Sequence, residues 1–265
     1  MNNTLNICIS HIPFPEFYKD YVDLTISPIP ISNLENIQVV DDSHFGENGS
    51  ALSEYAQLLW LGDNLDTVAK NFEYVRLFQY RRFVSRKSMG IPISLVGRWI
   101  HVNRLADLDD DFSRENAGEL FNPPVFFLGG VRRQYAVAHM LEDLLNFARY
   151  LTEAGILDEA QAKAMLSRHR LIPACTTGIY RVETLKKTLP ILRRAAEFLN
   201  SKYYIPRAGY QRRLVGFLLE RLHSHLHFNL IQSGSTDAKF GHYIVFSNSP
   251  FGHIWRLAPK ALTSR

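Results

Sequence analysis

One stretch constrains the fold more than any other: Tyr74-Val75-Arg76-Leu77-Phe78-Gln79-Tyr80-Arg81-Arg82-Phe83 is a short β-type run that ends on two adjacent arginines between aromatics. A brief run rich in Val, Leu and Phe reads as a strand inside a sheet. Clustered charge where it stops puts that end at the surface. Arginines placed there form a clamp for phosphate or carboxylate, because guanidinium donates a planar fork of hydrogen bonds. A merely solvated strand end accounts for the same residues, so the neighbouring segments have to decide.

Those segments alternate in type. Leu5–Ser10 reads as a second buried strand, broken at His11-Ile12-Pro13. Asp23–Ile31, Ile91–Val102, Pro123–Leu128 and Leu171–Tyr180 read as extended, and Asp41–Ser50 as a polar loop. Helical spacing covers Ser53–Leu61, Gln134–Gly155, Asp158–Arg168, Val182–Asn200 and Gly209 to about His227. In the Gln134–Gly155 helix, Val137, Leu141, Leu144, Ala148 and Leu151 form the expected apolar stripe. Strands mixed with long helices imply an α/β domain, strands mainly in the first half and helices in the second. The Gly/Ser/Pro-rich tail from Gln232 carries aromatic islands without a clear period.

Composition narrows the class. A chain of 265 residues with 46% hydrophobic and 21% charged residues can build a sizeable core. Its net charge of +4 suits an anionic ligand but is small for a dedicated nucleic-acid binder. Cys8 and Cys175 lie in apolar runs and read as buried thiols rather than a disulfide or metal pair. The first residues have neither a basic nor a long apolar region, and no run approaches the ~18 apolar residues of a membrane span. The expected compartment is the cytoplasm, with peripheral contact at the membrane face as an option.

Several motifs then fall in one order. Ile9-Ser10-His11-Ile12 closes the first strand; Glu47-Asn48-Gly49-Ser50, Ser53-Glu54-Tyr55 and Leu59-Trp60 precede the arginine segment. Downstream come Gln134-Tyr135-Ala136-Val137-Ala138-His139-Met140-Leu141-Glu142-Asp143-Leu144 and Arg213-Leu214-Val215-Gly216-Phe217-Leu218-Leu219-Glu220-Arg221-Leu222. Over about residues 5–228 this series resembles bacterial glycosyltransferases of capsule and exopolysaccharide synthesis that carry a His-Tyr-Arg-Arg-Tyr-type motif. Ile12, Gln79 and Arg76 stand where that family has lysine, histidine and glycine, which implies a divergent donor or acceptor.

The resemblance implies a GT-A-like nucleotide-sugar fold with a mixed central sheet. One domain over residues 1–231 would have a donor-side half to about 130 and a helix-rich acceptor-side half beyond it, followed by a tail, 232–265. It implies a nucleotide-sugar donor and a glycan, lipid-linked or small-molecule acceptor, with no nucleic acid. Ser10, His11, Gln79, Tyr80, Arg81, Arg82 and Arg213 are the expected donor and diphosphate contacts. Many GT-A enzymes hold a divalent metal with Asp-x-Asp after a central strand, but the strand here ends in Gln79-Tyr80-Arg81-Arg82. Arginines in the metal's place would stabilise the leaving diphosphate, so no metal ligand and no cofactor beyond the donor is expected; a divalent metal stays open as an alternative. The acidic run Asp107–Asp111 reads as a solvated loop rather than a metal box, and His223, His225 and His227 lack a third ligand on one face.

An acceptor hydroxyl needs a proton acceptor. Asp143, four residues from His139 and in reach of it on one helix, is the first candidate, and Glu220 the second. Plain ion pairs fit the same spacings. On the Gly209 helix, Arg213, Gly216, Phe217 and Glu220 share one side and Leu214, Leu218, Leu222 and Leu226 the other. Gly216 costs helix stability, about 1 kcal/mol against Ala, which implies close approach by a ligand or a neighbouring element. Cys175-Thr176-Thr177-Gly178 reads as a sugar-facing loop or a tight turn. A basic RNA- or membrane-associated binding protein, with doublets at Arg132-Arg133, Arg193-Arg194 and Arg212-Arg213, is the alternative from another class, and another phosphate-handling transferase the alternative enzyme.

Overall fold

The two β-rich runs lie side by side in the protein, seen in a computed structural model that describes residues 3–12, 21–32, 34, 36–47, 49–94, 96–102, 104 and 118–248. β1 (Thr4–Ile9) and β4 (Tyr74–Gln79) pair in parallel, with Ile7 beside Leu77 and Ile9 beside Gln79. Both are buried along their whole length, as strands covered on both faces must be. β2 (Leu24–Ser27) and β3 (Ile37–Val39) continue the parallel run beyond β1. On the far side of β4, β11 (Gly178–Arg181) and β8 (Leu120–Phe121) add antiparallel, and β12 (Lys239–Phe240) lies outermost.

β4 also turns tightly at Tyr80-Arg81 into β5 (Arg82–Ser85). From β5 the sheet runs through β13 (His242–Ser247) and β7 (Gly97–His101) to β6 (Ile91–Pro92). Among the described residues eleven strands form this mixed sheet, and β9 (Val125–Phe126) pairs separately with β10 (Arg170–Leu171).

Among the described residues the helices pack against one sheet face. α1 (Tyr55–Val68) and α5 (Val182–Ala196) pack together, tied at their edges by Lys186–Asp66 (2.9 Å) and Arg193–Asp63 (3.5 Å). α6 (Leu214–Gln232) runs through the core, where Leu218 and Leu222 join Ile7, Val75 and Leu77 in one cluster. α2 (Gly130–Ala138), α3 (Leu141–Glu153) and α4 (Glu159–Ser167) complete the layer, α4 opened by an Asp158–Gln161 capping box. Cys8, Phe78, Phe83, Ile244 and Phe246 form a smaller core on the opposite face. Both cysteines are buried free thiols. No helix among the described residues is long and apolar enough to cross a membrane.

Five expectations change. The helix read over Gln134–Gly155 is two: it breaks at His139-Met140, whose backbone is extended, so Val137 faces solvent at 83% exposure while Leu144, Ala148 and Leu151 stay in the core. The helix expected from Gly209 opens as a 3-10 turn over Gly209–Arg213; its α-helical part is buried on nearly every side and is not amphipathic. The tail beyond Gln232 supplies β12 and β13, so the sheet does not end at 231. Ile91–Val102 forms two short strands, and Asp41–Ser50 holds short 3-10 turns at Asp42–Phe45 and Gly49–Leu52. The acidic run 107–111 lies outside the described residues.

Candidate functional site

Because Ile9 and Gln79 are in register, the chain leaves β1 and β4 at adjacent points. Ser10-His11 and Tyr80-Arg81 therefore emerge together at the carboxyl ends of parallel strands, where ligands of open α/β sheets collect. Ser10 closes a turn with its hydroxyl on the Ile12 backbone. The His11 ring stands edge-on to Tyr80, centroids 4.9 Å apart, and Arg81 lies over Tyr80 at 5.1 Å. Burial, then Arg81 and Arg213, lowers the His11 pKa against the pull of Glu54. His11 is thus neutral at pH 7 and able to hydrogen-bond without adding charge.

These residues open on a cleft of about 580 Å³ closed on its other side by α6. Ser10, His11, Gln79, Tyr80, Arg81, Arg82, Arg213 and Glu220, all singled out from sequence, line it together. Three guanidinium groups meet there. Arg82 sits at the start of β5 with its Nε buried and lacking a hydrogen-bond partner among the described residues. Tyr243 on β13 lies diagonally across the pair from Arg82 and is the leading cause of its raised pKa, helped by Glu54. Arg213 donates to Ser53 Oγ from Nε at 2.8 Å and lies 3.6 Å from Glu54.

The side of α6 that faces the cleft is the one the sequence marks: Gly216, Phe217 and Glu220 follow Arg213 along it, while Leu214, Leu218 and Leu222 are core. Gly216 admits the Gly49–Leu52 turn. A Cβ there would meet the Leu52 carbonyl oxygen at 2.6 Å and Ser53 Cβ at 3.1 Å. Gly216→Ala is therefore expected to cost about 1–3 kcal/mol by overpacking and to displace Ser53 and Glu54 from the cleft wall. Chemical denaturation checks the cost; a variant as stable as the parent would remove the close-approach argument.

Two carboxylates, Glu54 and Glu220, balance the arginines. Glu54 lies in the Ser53-Glu54-Tyr55 motif but was not among the expected site residues. A tight loop behind the cleft holds both acids. Ala174, at φ +48°, donates its N–H to Glu220 Oε1 (2.8 Å), and Thr176 donates its hydroxyl toward Glu54 Oε1 (3.4 Å). The Asn122 amide binds the loop carbonyls of Ala174 and Thr177 at 3.0 and 3.2 Å. Cys175–Gly178 is thus a buried turn and not a surface that faces the cleft.

Asp143 and His139 do not line the cleft, and the helix break separates them. Asp143, 2% exposed, is bound by Arg207 through Nη2 (2.7 Å) and Nε (3.3 Å). His139 pairs with Gln211 (3.0 Å) and packs on Phe217 and Tyr210, both of which line the cleft, so it supports that wall from behind. Burial first lowers its pKa.

His223 and His227 are fully buried, 4.3 Å apart, and His227 stacks on Phe121 at 4.3 Å. Among the described residues no three His, Cys, Asp or Glu side chains converge as a metal-holding group. The basic doublets are dispersed: Arg193 pairs with Glu197 and Asp63, Arg194 with the Ala154 carbonyl, Arg212 with Ser50.

No family model matches the chain, and no curated protein matches it in sequence. Its fold is similar to a solved structure described as the WbbM bifunctional glycosyltransferase in its apo form, with a TM-score of 0.68 over 93% of this chain at 14% identity. The chain spans 46% of that structure's length. At this identity the likeness is one of fold, a mixed α/β, GT-A-like architecture.

Proposed function

We propose that the chain is a glycosyltransferase that moves a sugar from a nucleotide-sugar donor to a hydroxyl of a glycan, lipid-linked or small-molecule acceptor. The observation that carries this reading is the convergence of Arg81, Arg82 and Arg213 beside the carboxyl ends of β1 and β4 in a GT-A-like fold. As the bond from the anomeric carbon to the diphosphate breaks, its electron pair stays on the phosphate oxygen. Guanidinium forks facing that oxygen stabilise the growing charge, and one preorganised donor of this kind is worth about 2.7–4 kcal/mol. The unpaired Nε of Arg82 is a donor awaiting such an acceptor. The arginines do the work that a metal does in enzymes with Asp-x-Asp. The cleft acids Glu54 and Glu220 are better placed for the sugar and the acceptor than the buried, ion-paired Asp143.

A thermal-shift series with UDP, GDP, CDP, dTDP and their sugars, with and without excess EDTA, tests this. A nucleotide at 100 times its dissociation constant is expected to stabilise the protein by about 2.7 kcal/mol, with EDTA making no difference. Strict dependence of transfer on manganese or magnesium would sink the metal-independent form of the proposal. A flat response to every nucleotide would sink the whole reading.

A further inference from the structure

The two cleft carboxylates differ in what they have left to offer. Glu220 accepts the Ala174 N–H on Oε1 (2.8 Å) and the Arg221 guanidinium on Oε2 (2.6 Å). Arg221 is itself buried and fixed by Gln134 Oε1 and the Phe217 carbonyl, each at 3.0 Å. Both oxygens of Glu220 are therefore engaged by short bonds, one of them to a buried guanidinium. Glu54 is different. Its side chain is 32% exposed, and its contacts are long: 3.4 Å from Oε1 to the Thr176 hydroxyl and 3.6 Å from Oε2 to Arg213 Nη2. An ionised carboxylate has about four lone-pair sites, so Glu54 retains acceptor capacity toward the cleft.

Its orientation is set from behind, and in one direction. The Gln79 amide nitrogen donates to Thr176 Oγ1 at 2.9 Å. The threonine hydroxyl has one proton, and with an N–H already pointing at its oxygen it directs that proton to Glu54. Gln79 is 4% and Thr176 1% exposed, so water does not compete for the chain of donors. Successive bonds that run the same way polarise one another. The left-handed Ala174 and the Asn122 clamp keep Thr176 at its place in the turn.

We propose that Glu54 is the sugar-hydroxyl subsite of the cleft, and that Gln79 and Thr176 are positioning residues that aim it. The inference rests on the reading of the cleft as a nucleotide-sugar site. A carboxylate repels phosphate, so beside Arg213 it marks where the ligand stops being anionic. It is a strong acceptor for neutral hydroxyl donors. A diphosphate held by the arginines presents its sugar next to this group, and the acceptor hydroxyl approaches the same place.

The test compares Glu54→Gln, Thr176→Val and Thr176→Ser with the parent, using calorimetry with UDP, GDP and dTDP, with their hexoses, and transfer assays. Glu54→Gln is expected to bind the free diphosphates within about twofold of the parent. If the hydroxyl is the donor sugar's, binding of the nucleotide hexose falls at least about tenfold. If it is the acceptor's, donor binding holds and kcat falls by that factor or more. Either result supports the subsite and identifies its source. Thr176→Val should move the same parameter by about threefold or more, and Thr176→Ser should restore it, which a packing role would not produce. Glu54→Asp, with the carboxylate withdrawn by one methylene, gives the same split should Glu54→Gln fold poorly. Unchanged hexose binding and unchanged kcat overturn the proposal, as does equal loss of free diphosphate binding or a Thr176→Ser that stays impaired. A parent protein that binds none of these nucleotides overturns the glycosyltransferase reading and this one with it; a parent that binds them, with hexose binding and kcat both left intact by Glu54→Gln, overturns this one alone.

Discussion

Removing both guanidinium groups at the end of β4, as Arg81→Ala with Arg82→Ala, is expected to lower turnover by about 10²- to 10⁴-fold. Hydrogen bonds to charged groups contribute about 1.5–3 kcal/mol each, and about 1.4 kcal/mol is a factor of ten in rate. Two such groups facing a diphosphate give the range. The lysine pair, Arg81→Lys with Arg82→Lys, keeps the charge but loses the forked geometry, and an intermediate loss of about tenfold is expected. Arg82 also packs in a strand beside Tyr243, so each variant's melting temperature belongs beside its rate. Steady-state assays at saturating acceptor check the expectation. Lysine and alanine pairs both within threefold of the parent would mean that the arginines face no developing charge.

Acid is expected to unfold this protein through α6. Burial lowers the pKa of His223 to about 3 and of His225 to about 4, Arg168 adding to the second, and with His223 lowers that of His227 well below its usual value. In the unfolded chain these residues titrate near 6.5. Above that pH they are neutral in both states and add no pH dependence. As pH falls below 6.5 the unfolded state takes up protons that the folded state refuses until about 4 or 3, so stability is lost. Each histidine contributes up to about 1.4 kcal/mol per pH unit, and the three together about 4. Against a total of about 5–15 kcal/mol for a folded domain, cooperative unfolding is expected between pH 5 and 4. Urea titrations at pH 7.5, 6.0 and 5.0 measure the slope. Among the described residues neither buried ring nitrogen of His227 has a hydrogen-bond partner, and the ring stacks on Phe121. His227→Phe is therefore expected to be within about 1 kcal/mol of the parent at pH 7.5 and to remove about a third of the acid slope. Equal slopes in parent and variant would contradict the account.

The parts of this structure legible in the sequence are those in which local pattern and burial agree. β1 and β4 are short, fully buried β-rich runs, and the residues marked at their ends line one cleft with Arg213 and Glu220, marked on the Gly209 helix. Gly216 announced a close approach by its helix cost alone. The helix break at His139-Met140 was hidden because Val137 and Leu141 keep helical spacing across it. It is made by distant residues: Gln211 donates to the Ala138 carbonyl and pairs with His139, while Arg207 holds Asp143 one turn into the next helix. The histidines of α6 were weighed only as metal ligands, but as neutral rings they serve as core. Glu54 and Thr176 could not be found from spacing, since their meeting depends on a loop brought back against the start of α1.

The place of β13 has a consequence for biosynthesis. Residues 242–247 insert between strands made long before them, pairing with β5 at Arg82–Ser85 and with β7 at Gly97–His101. Until residues 242–247 leave the ribosome, β5 and β7 have open edges, and Arg82 lacks Tyr243 beside it. Contacts so distant in sequence form slowly, and exposed edges invite pairing with other chains. A ribosome that stalls short of Tyr243 therefore leaves a sheet with a gap between β5 and β7, open to pairing with its neighbours.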